Sequence, residues 1–267
     1  MSDDAPIGVF DSGVGGLTVL RAIHRALPDE STVYLGDTAR VPYGPKSPET
    51  IRRYADEAAG FLLERGVKAL VIACNTATAH ACAGLEARLD IPVVGVVEPG
   101  AREAVKTTRS GRVGVIGTRG TIESGTYERA IRALDADVSV LSHSCPLFVA
   151  LAEEGWVDGD VAELTARTNL TGLLGEGIDT LVLGCTHYPL LSPLLERIAG
   201  TDVRLVDSAE ATARHVRALL AQGVVRSAAR RPARRYYVTD DPERFAETAE
   251  RFLGAPVERL ERVALDG

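Results

Sequence analysis

Two apolar segments of the sequence each end in a cysteine that small polar residues follow at once. The first, residues 69–76, contains Cys74, and the second, residues 181–189, contains Cys185. Both are rich in Leu, Val and Ile and predict short buried strands. In an open parallel sheet, ligands bind outside the carboxyl ends of the strands. The pattern therefore places two thiols where one ligand would bind, although free cysteines are often simply buried and structural.

A pair of thiols on opposite sides of a substrate suits the inversion of a chiral carbon. One cysteine, as the thiolate, removes a proton, and the other, as the thiol, delivers a proton to the opposite face. Neighbouring groups can tune a thiol, whose ordinary pKa is about 8.5, for work near neutral pH. Asp11 and His187 are the candidates for proton transfer beside Cys74 and Cys185. The alternatives are a turn-stabilising role for Asp11 and a hydrogen-bonding role behind the site for His187.

Other chemistries fit the sequence less well. The chain has no Cys-x-x-Cys and no His-x-x-x-His pattern, so we expect no metal site. Pyridoxal phosphate needs a Schiff-base lysine, and of three lysines only Lys46 lies in a candidate site loop. Hydrolysis by Cys185 and His187 alone would leave Cys74 without a role. We therefore expect an enzyme that uses neither a metal nor a cofactor.

Composition sets further limits. The 267 residues suffice for one large domain or two smaller ones, and the net charge of −7 gives no reason to expect nucleic acid or a membrane surface as a partner. Four cysteines are too few for a disulfide framework, and neither a signal peptide nor a membrane span is evident, so we expect a cytoplasmic protein. Residues 226–235 carry five arginines, which favours a solvated linker over a nucleic-acid contact.

Strands and helices alternate along the chain, which predicts an α/β fold with parallel sheets. The strand at residues 7–10 leads into a glycine-rich turn at residues 11–16 and a helix at 17–27. The turn matches neither a dinucleotide fingerprint nor a P-loop, so it predicts a small-anion site at a helix N-terminus or a tight turn without a ligand.

The remaining segments predict the following elements: strands at 32–36, 92–97, 112–117, 138–142, 203–206, 235–239 and 257–260, and helices at 48–65, 77–89, 121–134, 146–154, 160–176, 208–221 and 242–253, with one more helix that starts at Pro189. The pattern restarts near residues 98–100. Gly8 lies 66 residues before Cys74, and Gly114 lies 71 residues before Cys185. These separations suggest a weak internal repeat of two similar α/β units, with chance similarity as the alternative.

Four motifs together carry a family resemblance: residues 10–16 (FDSGVGG), 42–44 (PYG), 73–76 (ACNT) and 184–189 (GCTHYP). As a set, in this order, they resemble the glutamate racemase family, within the cofactor-independent aspartate/glutamate racemase superfamily. The resemblance implies two similar doubly wound, mostly parallel-sheet α/β domains with the active site between them. It implies a first domain of residues 1–97 plus 209–267 and a second of residues 98–208.

The resemblance also implies a function and a set of site residues. The function is the interconversion of L- and D-glutamate, which supplies D-glutamate for peptidoglycan. Cys74 would act on the D enantiomer and Cys185 on the L enantiomer, with Glu153 as an acid near the site, although Glu154 leaves that alignment open by one residue. The implied substrate contacts are Asp11, Ser12, Tyr43, Gly44, Asn75, Thr76, Thr118, Thr121, Thr186 and His187.

Two other functions stay open from the sequence. A pair of cysteines does not select the substrate's side chain, so a racemase of aspartate or another small amino acid is the first alternative. The second is a regulatory binding protein, for example one that binds a topoisomerase. The oligomeric state is not encoded in any motif, and a homodimer is one option.

Overall fold

Two parallel β-sheets form the centre of the structure, a computed structural model that describes residues 5–222 and 232–265. The first sheet has the strand order β10-β9-β2-β1-β3-β4, and the second has the order β6-β5-β7-β8. The strands are β1 (Ile7–Asp11), β2 (Thr32–Gly36), β3 (Ala69–Ile72), β4 (Val93–Gly95), β5 (Arg112–Gly117), β6 (Ser139–Ser144), β7 (Thr180–Gly184), β8 (Arg204–Asp207), β9 (Arg234–Val238) and β10 (Leu260–Arg262).

Helices follow most of these strands and cover both faces of the sheets. They are α1 (Leu17–Ala26), α2 (Pro48–Leu63), α3 (Asn75–Glu86), α4 (Val97–Thr107), α5 (Arg119–Glu123), α6 (Thr126–Leu134), α7 (Leu147–Glu153), α8 (Asp160–Gly175), α9 (Ser192–Ala199), α10 (Ser208–Ala221) and α11 (Pro242–Leu253), with short 3₁₀ turns at Thr38–Arg40 and Tyr188–Leu191.

Alternate residues of each central strand enter different hydrophobic clusters. In β1, Val9 belongs to the cluster beneath α1, α10 and α11, whereas Phe10 belongs to the cluster beneath α2 and α3. In β5, Val115 and Ile116 divide in the same way between two clusters of the second sheet. Because both faces are buried, these strands are nearly continuous apolar runs. The doubly wound α/β fold expected from the sequence is confirmed.

The two sheets repeat one arrangement of four strands. The order β2-β1-β3-β4 in the first sheet corresponds to β6-β5-β7-β8 in the second. The register also corresponds, since Gly8 pairs with Leu70 while Gly114 pairs with Leu181. The internal repeat suggested by the glycine–cysteine separations is therefore present in the topology, and it places the ends of β3 and β7 at equivalent positions.

Several predicted boundaries were correct and several were wrong. Strands β2 and β5 and helices α10 and α11 lie where the sequence placed them, and Ser47 caps α2 by accepting from the N–H of Thr50. Residues 98–100, where the pattern was predicted to restart, form no break in the chain, because they lie within α4, the helix between the last strand of the first four and β5. Proline is tolerated in a first helical turn, where its missing N–H has no intrahelical partner to lose.

Other corrections concern the starts of elements. The predicted helix at 121–134 is two helices, α5 and α6, which Gly125 separates with a φ of 64°. Gly159, rather than Asp160, is the N-cap of α8. Strand β10 begins at Leu260, three residues after the predicted start.

Of the basic segment, residues 226–231 lie outside the described part of the chain, and Arg234 and Arg235 begin β9. In the ranges 5–222 and 232–265, the structure has no helix of the length and apolar character that a membrane crossing requires.

Candidate active site

The two cysteines line one pocket between the sheets. Cys74 follows β3, Cys185 follows β7, and each is only 6% exposed. The pocket encloses about 50 Å³ of water-accessible space. Its walls are Ser12, Gly13, Val41, Pro42, Tyr43, Gly44, Cys74, Asn75, Thr76, Thr118, Val149, Glu153, Cys185, Thr186 and His187. The structure thus brings most of the residues named from the sequence to one place.

Cys74 is the N-cap of α3, a role that the sequence reasoning did not assign because it started that helix at Ala77. Its Sγ accepts from the N–H of Ala77 at 3.4 Å and lies 3.6 Å from the Ser12 hydroxyl. Burial, reinforced by the negative charge of Asp11, raises the pKa of Cys74 to about 12 even though the contacts with Ala77 and Ser12 act in the opposite direction. Cys74 is therefore a thiol at neutral pH.

Cys185 stands at one end of a hydrogen-bonded chain. Its Sγ lies 3.8 Å from Nδ1 of His187, and Nε2 of His187 lies 2.9 Å from Oε1 of Glu153. Burial lowers the pKa of His187, but the contacts with Cys185 and Glu153 outweigh burial and raise that pKa to about 10. The same bond to His187 lowers the pKa of Glu153. His187 is therefore held as the imidazolium at neutral pH.

The geometry also separates the two adjacent glutamates. Glu153 is the last residue of α7 and contacts His187, whereas Glu154 is the exposed C-cap of that helix and does not line the pocket. Glu153 is accordingly the acid that lies near the site.

Asp11 is completely buried at the end of β1. Its Oδ2 accepts from the N–H of Gly13 at 3.0 Å, while its Oδ1 has no hydrogen-bond partner among the described residues. Burial raises the pKa of Asp11, and the nearby His187 and the backbone N–H groups of the glycine turn oppose that rise. The N–H groups of the turn thus face the carboxylate of Asp11, and the small-anion site remains a prediction.

The glycines at residues 11–16 permit a close approach between the part of the chain around the first sheet and the part around the second sheet, here called the two halves. A Cβ on Gly15 would clash with Oγ1 of Thr186 and Nδ1 of His187. Thr18, in the first turn of α1, donates to the carbonyl of Thr186 at 3.0 Å. The turn at residues 11–16 therefore packs directly against the residues that follow Cys185.

Three threonines form a second contact between the halves. Oγ1 of Thr76 lies 2.9 Å from that of Thr118 and 3.2 Å from that of Thr121. Beside them, the N–H of Gly120 donates to the carbonyl of Gly44 at 3.1 Å. Thr121 does not line the pocket, so its place is behind Thr76 and Thr118.

Tyr43 is held by residues outside the pocket. Its hydroxyl donates to Oδ2 of Asp37 at 2.5 Å, and Arg40 and Thr239 also donate to Asp37. Burial and the adjacent carboxylate raise the pKa of Tyr43, so it remains neutral. Asp37 was not predicted as a site residue because it stands outside the motifs. Its position directly after β2, at the carboxyl end of a parallel strand, could have indicated a place near the site.

The substrate contacts implied by the resemblance did not include Val41, Pro42 and Val149 in the pocket wall or Tyr127 behind it. Pro42 is part of the motif at residues 42–44 and Val41 precedes it, whereas Val149 and Tyr127 lie on helices without a motif. In the ranges 5–222 and 232–265, no three His, Cys, Asp or Glu side chains form a group that could hold a metal ion.

Comparison with known proteins gives consistent results. Residues 7–216 match the family model described as Asp/Glu/hydantoin racemase. A protein of Geobacter metallireducens named glutamate racemase is 56% identical over 261 residues, which is 97% of each chain.

Solved structures are similarly close. The crystal structure of glutamate racemase isoform RacE1 from Bacillus anthracis superposes with a TM-score of 0.95 at 43% identity, covering 99% of each chain. A glutamate racemase of Francisella tularensis, solved with D-glutamate, gives a TM-score of 0.94 at 39% identity, also over 99% of each chain. The resemblance drawn from the four motifs is confirmed.

Proposed function

Because the chain belongs to the Asp/Glu/hydantoin racemase family and is an isomerase of the glutamate racemase type, we propose that it interconverts L- and D-glutamate through two cysteines. The observation that carries this proposal is that Cys74 and Cys185 follow equivalent strands and line the same pocket. A two-base racemisation uses a base on one face of the α-carbon and an acid on the other, and two thiols in one pocket supply both.

In the direction from L-glutamate, the thiolate of Cys185 takes the α-proton and the C–H electron pair stays on the substrate. The thiol of Cys74 then delivers its proton to the opposite face, and its S–H electron pair remains on sulfur. Cys185 ends as the thiol and Cys74 as the thiolate, so proton exchange with solvent must restore the starting state. The reverse direction uses the same steps with the two residues exchanged.

The surroundings of the two cysteines favour the starting state for L-glutamate. Cys74, with its pKa raised to about 12, is the proton donor. The imidazolium of His187 lies against Sγ of Cys185, so a positive charge stands beside the sulfur that takes the α-proton from L-glutamate. Asp11 stands near the base needed in the opposite direction, so each half has its own titratable partner.

Two polar atoms without partners fit a substrate that is both an ammonium ion and a dicarboxylate. Oδ1 of Asp11 is a buried acceptor and Nδ2 of Asn75 is a buried donor. Leaving such groups unsatisfied costs about 1–3 kcal/mol each, which a bound ligand would recover. We propose that Asn75, with Ser12, Thr76, Thr118 and Thr186, donates to the carboxylates from the pocket wall. Asp11 is fully buried and does not line the pocket, so its contact with the ammonium group is proposed from its unpartnered oxygen alone.

The direct test is circular dichroism of purified protein with L-glutamate and no added cofactor. The optical signal should decay to zero, because the enantiomers have equal free energy. Cys74→Ser and Cys185→Ser should each abolish most turnover in both directions while keeping the far-UV spectrum. Near-normal turnover in either variant would refute the two-cysteine mechanism, and faster loss of signal with L-aspartate would refute the choice of glutamate.

We further propose the cellular setting that this chemistry requires. The D-glutamate would enter peptidoglycan, and the enzyme would work in the cytoplasm, where thiols stay reduced. The domains would comprise residues 1–97 with 209–267 and residues 98–208, each centred on one sheet. A strain without the gene should need external D-glutamate, and growth without it would contradict the peptidoglycan role.

A further inference from the structure

Tyr127, on α6, touches residues next to both cysteines. It is only 2% exposed, and its hydroxyl donates to Oδ1 of Asn75 at 2.8 Å. Asn75 directly follows Cys74 in the sequence. The Tyr127 ring also packs on Gly184, which directly precedes Cys185, since a Cβ there would lie 3.1 Å from Cε2 of the ring. One side chain therefore joins the neighbours of the two thiols.

Glycines make room for this ring. A Cβ on Gly184 would lie only 3.1 Å from the Tyr127 ring, and a Cβ on Gly100 would lie 3.2 Å from the Tyr127 hydroxyl. Gly100 is in α4, which leads from the first sheet to the second. The ring is thus enclosed where this connection passes the end of β7, and its hydroxyl lies between Asn75 and the side chain of Ser208.

The hydrogen bond also fixes the orientation of the Asn75 amide. The phenolic O–H donates to Oδ1, which leaves Nδ2 as the free end of the amide. Nδ2 is buried and has no partner in the described part of the chain. Because Cys74 caps α3 and Asn75 is the first residue of that helix, holding Asn75 also restrains the backbone that carries the thiol.

We propose that Tyr127 is a positioning residue for racemisation, which sets the Asn75 amide as a donor to the substrate and holds the ends of β3 and β7 at their working separation. This inference rests on the proposed function. Tyr127 acts through Asn75 and the strand ends, since it does not line the pocket.

The test is Tyr127→Phe, which removes the hydroxyl and keeps the ring. We expect kcat/KM to fall about tenfold, as for the loss of one good hydrogen bond, with most of the change in KM because Asn75 binds substrate. The fall must be equal in both directions, since the equilibrium constant between enantiomers is unity. Tyr236→Phe is the matched control, because Tyr236 is equally buried but lies on β9, away from the pocket.

A double-mutant cycle separates positioning from general stability. If Tyr127 acts through Asn75, then Tyr127→Phe should add less than about twofold to the loss caused by Asn75→Ala. The inference would be overturned if the losses of kcat/KM in the two single variants multiplied in the double variant. It would also be overturned by unchanged kinetics in Tyr127→Phe or by an equal loss in Tyr236→Phe. A wild-type protein that does not racemise glutamate would instead refute the proposed function, and the two failures are distinguishable.

Discussion

Glu153→Gln should lower the pH at which racemisation is lost on the basic side. Glu153 bonds to Nε2 of His187, whose other nitrogen faces Cys185. Glutamine keeps the size of the side chain and a hydrogen-bonding oxygen but removes the negative charge. The imidazolium of His187 would then lose the negative charge of Glu153, which helps to raise its pKa, and it would deprotonate at a lower pH.

The size of the shift follows from the contact. A hydrogen bond to a charged group contributes about 1.5–3 kcal/mol. The Glu153 side chain is 44% exposed, so screening by solvent places the effect at the lower end, about 1.5 kcal/mol, which corresponds to about one pH unit. We therefore expect the basic limb of kcat/KM to move down by about one unit. That limb belongs to the coupled pair of His187 and Glu153.

Glu153→Gln should also lower the free energy of unfolding. Because folding raises the pKa of His187 from 6.5 to about 10, its contribution is complete below the unfolded value and is lost as the pH rises through about 10. Glu153→Gln should reduce this contribution, so urea denaturation should separate the variant from wild type at pH 6 more than at pH 11.

The assay is the rate of loss of the dichroism signal of L-glutamate across about pH 6 to 11, a range that brackets both values of the His187 pKa. Glu154→Gln is the matched control, because Glu154 is adjacent, exposed and without a contact to His187. An unmoved basic limb in Glu153→Gln, or an equal shift in Glu154→Gln, would refute the reasoning.

Three further predictions follow from other contacts. L-Glutamate in heavy water should give D-glutamate that carries deuterium at Cα, while unreacted L-glutamate stays protiated at early times; mass spectrometry that finds unlabelled product would contradict two separate bases. Gly15→Ala should lower kcat/KM roughly tenfold or more through overpacking against Thr186 and His187, whereas Gly84→Ala, in open space on α3, should leave turnover unchanged. Asp179→Asn should cost about 1–2 kcal/mol of unfolding free energy. Burial raises the pKa of Asp179, but hydrogen bonds from residues 108–110 lower it below its ordinary value, so the stabilisation is present at neutral pH and is lost as the pH falls through the acid range. Urea titrations of both proteins at pH 7 and pH 3 measure this difference.

Local patterns were sufficient to predict most of the fold. Buried strands such as β2 and β5 are apolar runs between breakers, and α11 carries its own signals in Pro242 and Gly254. Predictions of element boundaries failed where a residue type that usually ends a helix can also occur inside one. Pro99 and Gly100 usually interrupt helices, yet here Pro99 falls in a first turn and Gly100 makes room for Tyr127.

The candidate site was predictable to the extent that its residues follow strands. Both cysteines, Asp11 and His187 stand at strand ends, and parallel topology brings strand ends together. Tyr127 and Thr18 lie in helices, and their partners are up to 168 residues away in sequence. Nothing local distinguishes such a tyrosine from any other core residue, so only the packed structure reveals its role.

The strand order of the first sheet has a consequence for how the protein is made. Strand β2 pairs on its outer side with β9, which leaves the ribosome only after the whole second sheet has been synthesised. Until then, β2 is an open edge able to pair with another chain. Phe252, whose ring stands edge-on to His187 at 5.2 Å, arrives later still. A nascent chain therefore completes its second sheet before its first, and the residues around Cys185 gain their last neighbour near the end of translation.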